Sequence, residues 1–397
     1  MILAIDGGKP VRSTFLPYGK QSIDENDIKS VVDVLRGDYI TTGPYINKFE
    51  NKVANYVDAK YAVAVSNGTA ALHLACLAAG IKEGDEVIVS SITFAASSNA
   101  VLYCGGKPIF ADINPNTYNI DLEDIKRKIT CRTKAIIAVD FTGNPIDIDD
   151  IKQICEENNL IFIEDGAHSL GSEYKNRKVG SLADMTTFSF HPVKPITTGE
   201  GGIITTNNKD FYDRLCLLRS HGITRNSDLI DNSVGPWHYE QLCLGFNYRM
   251  TDIQAALGIS QIDKIDRFID RRREIVSIYN KEFEDIKEID IPNVQQDRKS
   301  GWHLYIIALN LNMIKVSRKE IFEALRAENI GVNVHYAPVY NHPYYKNMGY
   351  KNGICIESEN LYERIITLPL YPSMDNKDIE DVVTAVKKVI SAYKKES

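Results

Sequence analysis

Short apolar runs alternate with helix-like stretches through the first two-thirds of the chain, and this alternation restricts the fold more than any other feature. The runs fall at 61–65, 86–89, 108–111, 135–139 and 161–163, with helical patterns such as 70–79 and 148–157 between them. Strands that are apolar throughout, separated by helices, predict an α/β fold with a mostly parallel central sheet sandwiched by helices. Ligands of such sheets collect at the carboxyl ends of the strands.

Upstream, Asp24 opens a predicted helix with Ile28, Val31, Val32 and Leu35 on one apolar face and Gly37 at its end. Pro44 sits in the first turn of another, with Ile46, Phe49 and Val53 behind it. One or two long helices are expected over 252–279. A small C-terminal α/β domain is expected beyond them, with strands at 302–309 and 332–335. Ser317 and Glu320 fit a capping box for a helix to about Asn329, and a final helix is expected near 375–388. The expected division is a large domain with the N-terminal segment at 1–250, and linking helices with the small domain at 251–397. The lysine-rich tail is expected to be solvated and frayed.

At 397 residues the chain is long enough for two domains. A formal net charge of −7 argues against nucleic acid as a partner. Seven scattered cysteines without a close CxxC pair argue for reduced thiols, a cytoplasmic setting and no metal site. The opening MILAIDGGKP does not read as a signal peptide, and no apolar stretch approaches the ~20 residues of a membrane span.

Four places carry candidate chemistry. Ser66-Asn67-Gly68-Thr69 follows a predicted strand and opens a helix, which suits either a phosphate or a simple helix cap. Asp165 ends a predicted strand and precedes Gly166-Ala167-His168. An ionised carboxylate there holds a pyridine nitrogen protonated, so the ring draws electrons from an adjacent imine; the alternatives are a helix cap for Asp165 and a satisfied buried imidazole for His168. Lys194 ends the segment Thr187-Phe188-Ser189-Phe190-His191-Pro192-Val193 and precedes the small residues Thr197-Thr198-Gly199-Glu200-Gly201-Gly202. Partial desolvation in such a setting lowers a lysine pKa and frees a nucleophilic amine for a Schiff base. Asn247-Tyr248-Arg249 precedes a long helix and either binds an anion or caps that helix. Two further hydroxyl and ring positions stand beside these: Ser189 for a phosphate, and Phe94 for stacking on a flat ring or for core packing.

Taken in order, the motifs SNGTAALHLA, EDGAHSLGS, FSFHPVKPITTGEGG and GFNYRMTDIQAALG resemble the DegT/DnrJ/EryC1/StrS sugar aminotransferases, fold type I enzymes dependent on pyridoxal 5'-phosphate (PLP). The resemblance runs from about Tyr18 to the last helix. It implies Lys194 as the Schiff-base lysine and proton shuttle, and Asp165 as partner of the pyridinium nitrogen. It implies Gly68, Thr69 and Ser189 around the phosphate, Phe94 on the ring and His168 close to it. Asn247 then reaches the cofactor phosphate of a neighbouring subunit, so a homodimer with shared active sites is implied. Gly166 departs from the alanine or serine common in the family. Relatives that carry histidine in place of the lysine are dehydratases, and Lys194 disfavours that branch.

Within the family, SEYKNRKVG, RSHGI and GPWHYEQLCLGFNYRMTDIQAALG are similar to one subgroup. Its members aminate UDP-2-acetamido-2,6-dideoxy-β-L-arabino-hexos-4-ulose in pseudaminic acid biosynthesis, with L-glutamate as donor. That implies substrate contacts at Tyr18, at Asp38, Tyr39, Ile40 and Thr41, and at Val334, His335, Tyr336 and Ala337; an ordinary strand is the other reading of 334–336. Another UDP- or dTDP-linked ketosugar is the alternative substrate. An NAD-dependent oxidoreductase requires GxGxxG after the first strand, which is missing. A non-catalytic PLP-binding regulator has no need of the lysine and the aspartate.

Overall fold

The structure is a computed structural model that describes residues 2–230 and 234–395. Seven strands form its main sheet: β1 (Tyr61–Val65), β2 (Glu86–Ser90), β3 (Lys107–Ala111), β4 (Thr133–Val139), β5 (Ile161–Asp165), β6 (Met185–Ser189) and β7 (Gly202–Thr206). Their order is β1-β7-β6-β5-β4-β2-β3. β7 alone runs against the rest, pairing antiparallel with both β1 and β6. The other neighbours pair in parallel. Both faces are covered because residues alternate along each strand. Ala64, Ile88, Ile136, Phe162 and Phe188 point into one buried cluster, and Val63, Val87, Val89, Ile137 and Ile163 into another.

Helices supply the layers. α1 (Glu25–Leu35), α2 (Pro44–Tyr56), α3 (Gly68–Ala78), α4 (Ala96–Tyr103), α5 (Leu122–Lys128), α6 (Ile148–Asn158) and α7 (Lys209–Arg219) lead to a consecutive pair, α8 (Asp252–Ile262) and α9 (Ile265–Phe283). α3 buries the small residues Ala70, Ala71, Ala75, Cys76 and Ala78 together with Leu72, His73 and Leu74. α9 joins two cores: Phe268 and Ile269 belong to the first, while Ile275, Val276, Tyr279 and Phe283 belong to the second. The second core rests on a three-stranded sheet of Ile289–Asp290, Tyr305–Leu309 and Ile365–Leu368, and on the helices Arg318–Ala327 and Asn376–Tyr393. Leu3 and Leu16 also pack there, although the expected division groups the N-terminal segment with residues up to 250.

Four local expectations need correction. On α1, Ile28 is 48% exposed and Leu35 56%; the buried positions are Val34 and Asp27, because Asp27 bonds Gln261 and Lys264 of the α8–α9 junction. The strand expected at 302–309 begins only at Tyr305. Trp302 has φ +48°, and Gly301 and Leu304 give their amides to Gly143 and Thr142 of the larger domain instead of to the small sheet. No strand forms at 332–335: a single bridge joins Asn333 to Thr367 before the chain turns away. The tail is not frayed as far as it is described. Lys394 bridges Ile314 and the Lys395 amide bonds Met313, while residues 396 and 397 lie outside the described part.

Candidate active site

The sheet brings the ends of β1, β2, β4, β5 and β6 and the start of β7 to one edge, and the sequence-predicted residues cluster there. Asn67 caps α3 by accepting the Ala70 amide at 2.8 Å, leaving the Gly68 and Thr69 amides free of intrahelical partners. A side chain at Gly68 would place its Cβ 2.9 Å from Ser189 Cβ and 3.0 Å from its Oγ, so glycine is what lets the helix start approach the end of β6. Gly202 plays the same part opposite: a Cβ there would lie 2.4 Å from the Asn67 carbonyl oxygen. The result is a cradle of helix-initial amides and one hydroxyl, with the positive end of the α3 dipole behind it.

Asp165 is buried at the end of β5, 3% exposed. Ser97 Oγ donates to its Oδ2 at 2.6 Å and the Ala167 amide to its Oδ1 at 3.2 Å. Burial raises its pKa, while those two donors and the Lys194 charge act against the rise. Lys194 lies on the loop between β6 and β7. That loop is pinned by the Phe190 amide on the Gly201 carbonyl, by the Lys194 amide on the His191 carbonyl, and by Thr197 Oγ1 on the Phe190 carbonyl. Burial of the ammonium brings the Lys194 pKa down to about 8, against the pull of Asp165. At that value about a tenth of the amine is neutral at pH 7, compared with about one part in three thousand for an ordinary lysine.

A wall of rings faces the pair. His168 lies 4.5 Å from His303 and 6.2 Å from Tyr336, ring centre to ring centre. Tyr18 lies 5.2 Å from His335, and Phe94 lies 6.2 Å from Tyr336. Burial, then the Lys194 charge, pushes His168 and His303 well below the usual imidazole value and His335 down to about 4. All three imidazoles are therefore neutral near pH 7. The Nδ1 atoms of His168 and His303 are buried without a hydrogen-bond partner. His335 is fixed from both sides: Asn333 Oδ1 accepts the Val334 amide, which turns its Nδ2 toward His335 Nε2 at 3.3 Å, and His335 Nδ1 meets Thr367 Oγ1 at 2.9 Å. Val334 and Tyr336 pack beside Phe141 and Leu304, between the domains.

Other expected positions behave differently. Phe94 is 61% exposed, which disposes of the core-packing alternative. α8 is capped by Thr251 with Gln254, so capping does not account for Asn247, which is exposed and bridges Ser220. Asp38, Tyr39, Ile40 and Thr41 are also exposed, and their backbone contacts run to Thr251 and Asp252 at the start of α8 and not to Lys194 or Asp165.

Sequence reasoning missed Thr93, Ser97, Asp140 and His303. Asp140 follows β4 and receives Ser169 Oγ at 2.5 Å; burial pushes its pKa up to about 7. Glu164 beside it is also raised, by burial and then by Asp140. A polar residue immediately after an apolar run was the available signal for Asp140. A nucleophilic amine at about pH 8, an anion cradle and a buried carboxylate together can hold a phosphorylated aldehyde and move a proton.

The family model described as the DegT/DnrJ/EryC1/StrS aminotransferase family matches residues 21–387. A UDP-4-amino-4,6-dideoxy-N-acetyl-beta-L-altrosamine transaminase of Campylobacter jejuni is 38% identical over 96% of this chain and 99% of its own. Among solved structures, Helicobacter pylori PseC, an aminotransferase involved in the biosynthesis of pseudoaminic acid, superposes with a TM-score of 0.89 at 30% identity, covering 96% of this chain and 100% of its own. The PLP-form of the sugar aminotransferase Spr1654 of Streptococcus pneumoniae gives 0.89 at 31%, covering 95% and 99%.

Proposed function

This chain belongs to the DegT/DnrJ/EryC1/StrS aminotransferase family of PLP-dependent sugar aminotransferases, and on that premise we propose that it aminates C4 of a UDP-linked 4-keto-6-deoxy sugar. The preferred substrate is UDP-2-acetamido-2,6-dideoxy-β-L-arabino-hexos-4-ulose, with L-glutamate as donor and UDP-4-amino-4,6-dideoxy-N-acetyl-β-L-altrosamine as product. The names of the Campylobacter relative and of PseC support this choice of sugar. The observation that carries the amino-transfer reading is Lys194, brought to about 8 by burial and electrostatically coupled to the buried Asp165.

The residues present fit PLP. Gly68 is bare where a Cβ would collide with Ser189, which leaves room for a phosphate against the amides of Gly68 and Thr69. His168 has an unpartnered buried nitrogen, and its ring lies close enough to Lys194 to feel that charge. In this reading Gly68, Thr69 and Ser189 hold the phosphate, Phe94 covers the ring, Asp165 holds a proton on its nitrogen, and Lys194 is the covalent tether. Bound there, PLP supplies an electron sink for a carbanion beside the imine. The chain does the rest. The amino group would pass from glutamate, which leaves as 2-oxoglutarate, to the sugar C4, and Lys194 Nζ as a neutral amine would remove the α-proton of the glutamate and later deliver a proton to the sugar C4. Proton transfer by a positioned group contributes typically ~10² to 10⁴ in rate. The neutral His168, His303 and His335 add no second cation beside the amine.

Tyr18 and Tyr336 are proposed for the sugar, as are Val334, His335 and Ala337 through the strap they form between the domains. Asp38, Tyr39, Ile40 and Thr41, together with Asn247, are proposed to act across a homodimer. Apolar side chains left in solvent on these segments support the dimer: Tyr39 is 59% exposed, Ile40 51%, Trp237 73% and Leu244 80%. The test is a panel of UDP- and dTDP-ketosugars with glutamate, with product stereochemistry read by NMR. Amination of the L-arabino-hexos-4-ulose at C4 supports the assignment; preference for a dTDP sugar or another ring position overturns it.

A further inference from the structure

Asp165 is held by a chain of hydroxyls that reaches it from α4. Ser97 sits in the first turn of that helix, 1% exposed, and has a single proton to give. Its possible acceptors are Asp165 Oδ2 at 2.6 Å and the Phe94 carbonyl at 3.3 Å. The shorter contact to the charged acceptor takes it. At the 2.8 Å contact with Thr93 Oγ1 the Ser97 oxygen therefore accepts, and the protons run from Thr93 through Ser97 to Asp165. Ala167 holds the other carboxylate oxygen, so both are fixed. The positive end of α4 points the same way.

Asp165 needs this support, because its surroundings mostly oppose its charge. It is buried beside two further carboxyls, Asp140 and Glu164, with Lys194 and Tyr336 facing it from the other elements. Asp140 and Glu164 have hydroxyls of their own, from Ser169 and Thr186. Each of the three acids thus has a private hydroxyl donor, and Asp165 alone is coupled to the lysine that is to carry the cofactor.

We propose that Ser97, oriented by Thr93, is a positioning residue for amino transfer: it keeps Asp165 ionised and aimed so that the acid retains a proton on the pyridine nitrogen. This rests on the role given to Asp165 under the proposed function. The test loads wild type, Ser97→Ala, Ser97→Thr and Thr93→Val with PLP labelled with ¹⁵N in the ring. The ¹⁵N shift and the PLP dissociation constant are measured, with the apoprotein melting temperature as a folding control. Ser97→Ala is expected to move the nitrogen toward its unprotonated shift and to weaken PLP roughly 10-fold, the usual consequence of removing a hydrogen bond to a charged group. Ser97→Thr keeps the hydroxyl and is expected to restore both. Thr93→Val is expected to give a smaller shift of the same sign, and it carries the test if Ser97→Ala folds poorly. A protonated nitrogen in wild type that is unchanged in Ser97→Ala, with affinity within about twofold, overturns the role of Ser97 alone. An unprotonated nitrogen in wild type overturns the role of Asp165, and this inference with it.

Discussion

The chemistry at the scale of single residues turns on where Lys194 keeps its proton. Burial lowers its pKa to about 8, so the ammonium dominates below that value and the neutral amine above it. Apoprotein mixed with PLP should therefore form its visible absorbance faster as pH rises through about 8, then level off. Stopped-flow traces from pH 6 to 9.5 measure this; a rate that has not levelled off by the top of that range would show a solvated lysine. Lys194→Ala should abolish both the absorbance and turnover. Gly68→Ala probes the cradle separately, because its Cβ would press on Ser189. Overpacking of this kind costs about 1–3 kcal/mol, or roughly 5- to 150-fold in PLP affinity if the strain falls on the cradle. Lys194, Asp165, Gly68 and Ser189 were legible in the sequence because each ends or follows an apolar run. Ser97 was not: its partner is 68 residues away, and only the folded sheet edge brings them together.

Elements carry the next layer. The first residue of α8 does double duty: Asp252 accepts the Gly43 amide at 2.7 Å and the Tyr45 amide at 2.9 Å, tying the start of α2 and the exposed 38–41 segment to α8. Asp252→Ala leaves two amides without their charged acceptor, at a cost of about 1.5–3 kcal/mol for each hydrogen bond. The expected outcome is a lower melting temperature and a raised KM for the nucleotide sugar, with PLP absorbance retained. If KM holds while the melting temperature falls, residues 38–41 do not touch the sugar. The main sheet was readable here because the centres of β1 to β5 are buried on both faces and so carry short continuous apolar runs, with polar residues only toward the strand ends. The strap at 332–335 looks like a strand for a different reason, the alternation of β-branched Val332 and Val334 with polar Asn333 and His335. Its hydrogen bonds go elsewhere: Asn333 serves Thr367, Val334 and His335, and Val334 packs between the domains. The departure of Trp302 and His303 from the expected strand was hidden likewise, since the Gly301 and Leu304 amides bond Gly143 and Thr142.

For the whole molecule, part of the exposed apolar surface lies on segments already implicated in the site. Tyr39 and Ile40 stand beside α8, and Leu242 and Leu244 immediately precede Gly245 and Asn247. Apolar side chains that stay in water forgo about 1.5–3 kcal/mol each relative to burial, which a second subunit would recover. If Asn247 acts on the partner's cofactor, assembly and PLP affinity must fall together. Leu244→Asp combined with Tyr39→Ser places a charge and a lost ring on this surface without touching Lys194, Asp165 or the Gly68 cradle. Light scattering should report twice the 44.6 kDa chain mass for wild type and a single chain for the double variant. The monomer should bind PLP at least about tenfold more weakly, since it lacks a hydrogen bond to a charged phosphate. Asn247→Ala should lose a similar amount of affinity while remaining dimeric. That contrast separates a residue that reaches across the interface from one that merely builds it, and a fully active wild-type monomer would remove the need for either.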